Sequence, residues 1–298
     1  MDFSTVKINC SRLGAVMSEP KGALTDLMFE KLETLKSKEE LTDKQNLERI
    51  ELQFRMDNYD PTALSNGCMM YLVFIYSYLK YGSQKHKWSK GEGVPQLMRG
   101  SRMEKSSFEI IKRATGQNLY RYKSLLKNDY LKAQLDVINA KNPEESTKII
   151  DIKTSYSQFD FMKTIKADKI SRANNFQMQG YLAVTGKEFG EVYHVLADFT
   201  EEAILEQRSA MHKILCPDGI TTEHFLEEWA QSEESMRFAH IPDEERVIYH
   251  QVERDEKIIA KIYEKVEFCR TWLQEFELKH HNKVMSQQAE WEKLLHSM

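Results

Sequence analysis

The run Ile149-Ile150-Asp151-Ile152-Lys153-Thr154-Ser155 constrains this chain more than any other segment. An apolar run of this length reads as a buried strand. Side chains alternate along a strand, so Asp151 and Lys153 share one face and Ile150 and Ile152 the other. A carboxylate and an amine in mostly apolar surroundings are costly unless they hold something. A metal ion and a phosphate are the candidates. Taken alone, such a pair is more often a salt bridge, so the neighbouring segments decide its meaning.

Lys132 to Ile138 also reads as a strand, with Asp136 between Leu135 and Val137. The intervening stretch from Asn139 to Thr147 is polar and turn-prone. An antiparallel hairpin is the simplest joining, and it brings Asp136 near Asp151. Upstream, Gly100 to Thr115 reads as a helix, with Met103, Ser107, Ile110, Ile111 and Ala114 at helical spacing. Glu104 lies one position off that stripe and shares a face with Phe108 and Ile111. It is the third candidate metal ligand.

The order Glu, Asp, acid-x-Lys resembles the core of the PD-(D/E)XK nucleases. The closer resemblance is to the YqaJ-type phage recombination exonucleases, the group of phage lambda exonuclease. Their Gly-x-x-x-Glu is matched by Gly100-Ser101-Arg102-Met103-Glu104, their strand aspartate by Asp136, and their acid-x-Lys by Asp151-Ile152-Lys153. A helix with Gln-x-Gln follows, matched by Gln177-Met178-Gln179 and leading to Tyr181. The likeness runs from about residue 65 to about 275, and its order is far more specific than a lone Asp-x-Lys. One departure stands out. The family flanks its middle aspartate with glycine and proline, whereas Asp136 has Leu135 and Val137 beside it.

The resemblance implies an α/β (α+β) fold with a restriction-endonuclease-like core, a small mixed sheet flanked by helices and helical terminal extensions. It implies hydrolysis of phosphodiester bonds with Mg2+, for which Mn2+ can substitute. The metal ligands are then Glu104, Asp136, Asp151 and the backbone carbonyl of Ile152, because magnesium prefers oxygen donors. Lys153 would orient the attacking water and offset phosphate charge, and Gln177 would fix Lys153 or the water. Thr154 and Ser155 are placed to donate to a neighbouring phosphate, and Arg102, Lys112 and Arg113 to track the backbone.

Charge distribution agrees with a nucleic-acid partner better than net charge does. The net charge of −4 alone argues against nonspecific binding to nucleic acid. From Lys80 to Lys132, however, thirteen Lys and Arg stand against four acids, a bias suited to phosphates. The bland alternative is an ordinary solvated surface. Beyond residue 200 the bias reverses, with Glu227, Glu228, Glu233, Glu234, Asp243, Glu244 and Glu245.

Composition divides the chain into a helical N-terminal extension over 1–62, a nuclease-like core over 63–212 and a helical, charged C-terminal extension over 213–298. With 41% hydrophobic residues in 298, the chain can bury a sizeable core. The longest apolar run, Cys68 to Leu79, falls short of the roughly 20 residues of a membrane span. No signal-peptide pattern opens the sequence. Four scattered cysteines, Cys10, Cys68, Cys216 and Cys269, suggest free thiols in a reducing compartment. These features point to a cytoplasmic protein with no membrane partner, and the resemblance implies that it is phage or prophage encoded. No iron–sulfur cluster is expected, since no close downstream group of cysteines is present.

Three functions fit. The first is an exonuclease digesting duplex DNA from a free end, partnered by a single-strand annealing protein and assembled as a homo-oligomer, a trimer by resemblance. The second is another RecB-like PD-(D/E)XK nuclease, an endonuclease or one of the repair or CRISPR-adaptation type. The third is a catalytically inactive DNA-binding assembly protein on the same fold. The complete acid, acid, lysine set argues against the third.

Overall fold

A computed structural model describes residues 1–20, 22, 24–60, 63–82, 95–155 and 157–297, with backbone alone at 26, 95–102, 289 and 292–297. The chain runs β1 (Ile8–Asn9), α1 (Leu13–Val16), α2 (Asp26–Lys36), α3 (Asp43–Asp57), α4 (Asn66–Tyr81), α5 (Pro95–Thr115), β2 (Tyr120–Arg121), β3 (Leu125–Lys127), β4 (Leu131–Gln134), β5 (Val137–Ile138) and β6 (Ile149–Thr154). It continues through α6 (Gln158–Ala167), α7 (Arg172–Thr185), β7 (Phe189–Val195), α8 (Glu201–Leu215), α9 (Glu223–Glu234), β8 (Val247–Glu253) and α10 (Glu256–Ser297). Contacts group these into two units that cut across the expected boundaries at 62 and 212. Among the described residues no helix is long and apolar enough to cross a membrane.

One unit comprises Lys7–Ser11 and Lys85–Ala260. Its centre is a mixed five-stranded sheet in the order β2-β5-β6-β7-β8. β6 takes the middle, buried on both faces from Ile149 to Ile152, and it pairs antiparallel with β5 and parallel with β7. Ile150 and Ile152 point into a core with Met103, Ile110 and Ile111 of α5 and Tyr193 of β7. Each such buried side chain stabilises the fold by about 1.5–3 kcal/mol. A second, three-stranded sheet has the order β1-β4-β3.

Two expectations need correction. The strand expected over 132–138 is two strands in different sheets, and Asp136 stands at the break between β4 and β5. Its carboxylate takes the Ile152 amide as a partner, so this position serves a side-chain bond where a continuous strand would run. The region 213–298 is not wholly helical either. β8 closes the central sheet, antiparallel to β7 over seven residue pairs. Its β-branched and aromatic residues, Val247, Ile248, Tyr249 and Val252, outweigh the charged surroundings.

α7 is placed by its ends and by one glycine. Ser171 caps its N-terminus, accepting from the Asn174 amide, and Gly186 ends it at φ 70° in the left-handed region. On β7, a Cβ at Gly190 would fall 2.4 Å from Met178 Sδ and 3.1 Å from the Ile149 carbonyl oxygen. Only glycine lets α7 lie this close to the sheet, and that closeness brings Gln177 to β6.

The other unit comprises Met1–Val6, Arg12–Gln84 and Lys261–Met298. The expected helical stretch from Leu24 to Met56 is the pair α2 and α3, packed through Leu32, Leu35 and Leu52. In α10, Ile262, Val266 and Leu273 are buried as the periodicity predicts. Tyr76 of α4 meets Phe276 edge-on with ring centroids 5.1 Å apart, and Arg270 donates to the Val6 carbonyl at 3.0 and 2.9 Å. All four cysteines are free thiols.

His194 of β7 gives the fold a pH signature. Burial, then the neighbouring His250 and Lys153, push its pKa down to about 4. Its Nε2 is buried without a hydrogen bond. A pKa lower folded than unfolded means that this contribution to stability is present above about 6.5 and lost as pH falls toward about 4. Measured in chelator, the Tm of the wild type should fall relative to that of His194→Gln by several degrees across this window. A constant difference between the two proteins would refute the assignment.

Candidate active site

The site sits where the C-terminal half of β6 meets α5, α7 and the β4–β5 break. Asp151 lies inward on β6 at 2% exposure, while Lys153, two residues on, reaches the surface of the same face. Lys153 Nζ is 2.9 Å from Asp151 Oδ2 and donates to Gln177 Oε1 at 3.0 Å. Gln177 Nε2 lies 2.9 Å from Asp151 Oδ1 and 2.7 Å from the Tyr181 hydroxyl. One amide thus fixes both the acid and the amine. Asp136 Oδ2 accepts from the Ile152 amide at 3.0 Å, and the Val137–Ile150 register sets it beside Asp151.

These groups open on one cleft of about 740 Å³, lined by Glu104, Asp136, Asp151, Ile152, Lys153, Thr154, Gln177 and Tyr181. The sequence-derived acids, lysine and glutamine therefore share a single cavity. Glu104 reaches it from α5, and its carboxylate accepts from the Arg121 guanidinium. Accordingly, among the described residues no group of three acids, histidines or cysteines stands at metal-holding distance. Ser107, three residues beyond Glu104, bonds Thr154 through their hydroxyls at 2.8 Å, tying α5 to β6.

The remaining expected DNA contacts lie elsewhere. Lys112 covers the Phe108 ring at 5.5 Å, and Arg113 donates to Asp243 at 2.6 and 3.2 Å. Ser155 is buried, its amide donating to the Val195 carbonyl. The Arg102 side chain lies outside the described residues, as do Lys85, Lys87 and Lys90 of the basic stretch. Gln179 is structural, donating to the Glu253 carbonyl at 2.7 Å and accepting from the Asp255 amide at 2.9 Å.

Sequence reasoning missed three contributors. Asn9 and Ser11 line the cleft because β1 pairs with β4. Two residues of strand give no periodicity to detect. Arg121 was one cation among many in a basic stretch, and its pairing with Glu104 has no local signal.

The electrostatics suit a cation. Burial, then the nearby Asp151 charge, push Asp136 up to about 7. Asp151 is also raised, by burial, against the lowering effect of Lys153. Asp151 Oδ2 is buried and, although Lys153 is close, the approach misses hydrogen-bond geometry. Two adjacent carboxylates left short of positive charge are the donor set for a hard divalent ion.

Sheet order and flanking helices give the α/β fold with a small mixed sheet that the sequence led one to expect. It superposes on a phage-related exonuclease from Haemophilus somnus 129PT with TM-score 0.58, at 16% identity, covering 93% of this chain and 97% of that one. An alkaline exonuclease from Laribacter hongkongensis gives TM-score 0.53 at 15% identity, covering 96% of each chain. The latter protein has also been solved in complex with dAMP. Residues 61–188 match the model of the YqaJ-like viral recombinase domain. The match spans Glu104, Asp136, Asp151, Lys153 and Gln177. No curated protein matches the sequence.

Proposed function

We propose that this protein is a Mg2+-dependent DNA exonuclease that hydrolyses phosphodiester bonds of linear duplex DNA in phage or prophage recombination. The observation that carries this reading is the half-buried Asp136 beside the buried Asp151, with Lys153 held over them by Gln177. The family match and the exonuclease folds support it. Asp136, Asp151 and, after leaving Arg121, Glu104 would hold the metal, with Mn2+ an alternative. When bound, the ion supplies Lewis-acid charge to the scissile phosphate and to the attacking water. Lys153 orients that water and balances phosphate charge. Gln177 keeps the Lys153 amine on the reacting side, and Tyr181 holds Gln177 in turn.

End-labelled linear duplex incubated with Mg2+ or with chelator tests the reading. Progressive loss of the duplex only with Mg2+ is expected, and inert DNA in both would refute it. Lys153→Ala should slow the single-turnover step by about 10²–10³-fold while calorimetric metal affinity stays near that of the wild type. A matching loss of metal affinity would contradict the role given to Lys153. The same chemistry would serve a RecB-like endonuclease, and DNA topology separates the two.

A further inference from the structure

We propose that Arg121 is a phosphate-binding residue of the cleft, held on Glu104 until a divalent cation takes that carboxylate and releases the guanidinium to the DNA backbone. The inference rests on the nuclease reading and adds to it a residue and an order of events.

Arg121 stands on the edge strand β2, opposite Val137, and the next amide, that of Tyr122, donates to the Asp136 carbonyl at 3.2 Å. Its side chain is thereby carried to the rim of the cleft that holds the carboxylates. The Arg121 and Glu104 side chains are 32% and 33% exposed. An ion pair this open to water contributes little, about 0–1 kcal/mol, so exchanging it costs little. Lys153 is different, being already engaged by Asp151 and Gln177.

Charge balance supplies the order. The cleft presents Glu104, Asp136 and Asp151 against Arg121, Lys123 and Lys153. With acids and cations matched, a phosphate gains little by entering. A divalent cation on the carboxylates leaves the cleft positive and the Arg121 guanidinium without its partner. Its planar fork then suits two phosphate oxygens better than a lysine would. Among the described side chains of α5, Arg113 is committed to Asp243.

The experiment measures duplex affinity by fluorescence anisotropy with Ca2+, a hard oxygen-seeking cation, and with chelator. Metal affinity is measured separately by calorimetry with Ca2+ alone. Wild-type protein should bind duplex more tightly with Ca2+ than with chelator. Arg121→Gln should lose about tenfold of the Ca2+-dependent affinity, and its log–log salt slope should shrink by about one. Its Ca2+ affinity should be unchanged or tighter, because a competitor for Glu104 is gone. Arg121→Lys should fall between the two, keeping charge without the fork.

Unchanged duplex affinity and salt slope in both variants would overturn the proposal. So would a parallel loss of Ca2+ affinity, which would make Arg121 a prop for Glu104. If wild-type protein cleaves DNA while the variants bind it normally, only this inference falls. If wild-type protein neither binds nor cleaves duplex, the nuclease reading falls and this inference with it.

Discussion

Asp151→Asn should lower the proposed Mg2+-dependent cleavage of linear duplex by about three orders of magnitude or more and leave the protein folded and able to bind DNA. The size of the effect follows from the position of Asp151. It is almost fully buried, it faces Asp136, and one oxygen lacks a hydrogen bond. An amide of the same shape keeps the Gln177 contact available through its oxygen but cannot supply the negative charge that holds the cation. Stability should not fall, because the native protein already holds this carboxylate against a burial penalty that raises its pKa. Cleavage, Tm and duplex affinity should be measured on one preparation. Substantial Mg2+-dependent cleavage by the variant would sink the site. A large drop in Tm would instead show that Asp151 is structural.

The second large effect is topological. Linear duplex should be digested progressively from its ends, with covalently closed circles spared to background over the same time. Adding chelator should stop the reaction on the linear substrate. The reasoning is that an exonuclease must engage a free end, and a ring-shaped assembly would enforce this by threading. The homo-oligomer expected by resemblance, a trimer, is the natural form of that device, and light scattering measures it. A monomer that nicks closed circles as fast as it digests linear DNA would favour a RecB-like endonuclease. Partnership with a single-strand annealing protein belongs to the same proposal. Pull-down of an annealing protein together with processed DNA tests it separately.

How much was legible beforehand follows the range of each interaction. α5, β6 and α7 are visible in the sequence because their side chains repeat at the period of their own backbone. Asp151 and Lys153 then share a face by geometry alone. The hairpin also follows, because a short polar loop leaves antiparallel pairing as the simple closure. β8 was hidden because its alternation is brief and lies among helical, acidic segments, so pairing with β7 had to reveal it. The break at Asp136 was hidden because Leu135 and Val137 read as strand, whichever sheet each side joins.

The sequence by itself determined the central strand, the helices that flank it and the chemical identity of the groups on their inward faces, since each follows from spacing within one element. Tertiary structure decided which of those groups meet. It set Asp136 against the Ile152 amide, pressed α7 onto β7 at Gly190 so that Gln177 could join Asp151 to Lys153, and brought β1 to the cleft edge. It also turned Glu104 toward Arg121 and spent Arg113 on Asp243. Charges separated along the chain find their partners only after the sheets and helices have packed, and no local periodicity records that choice.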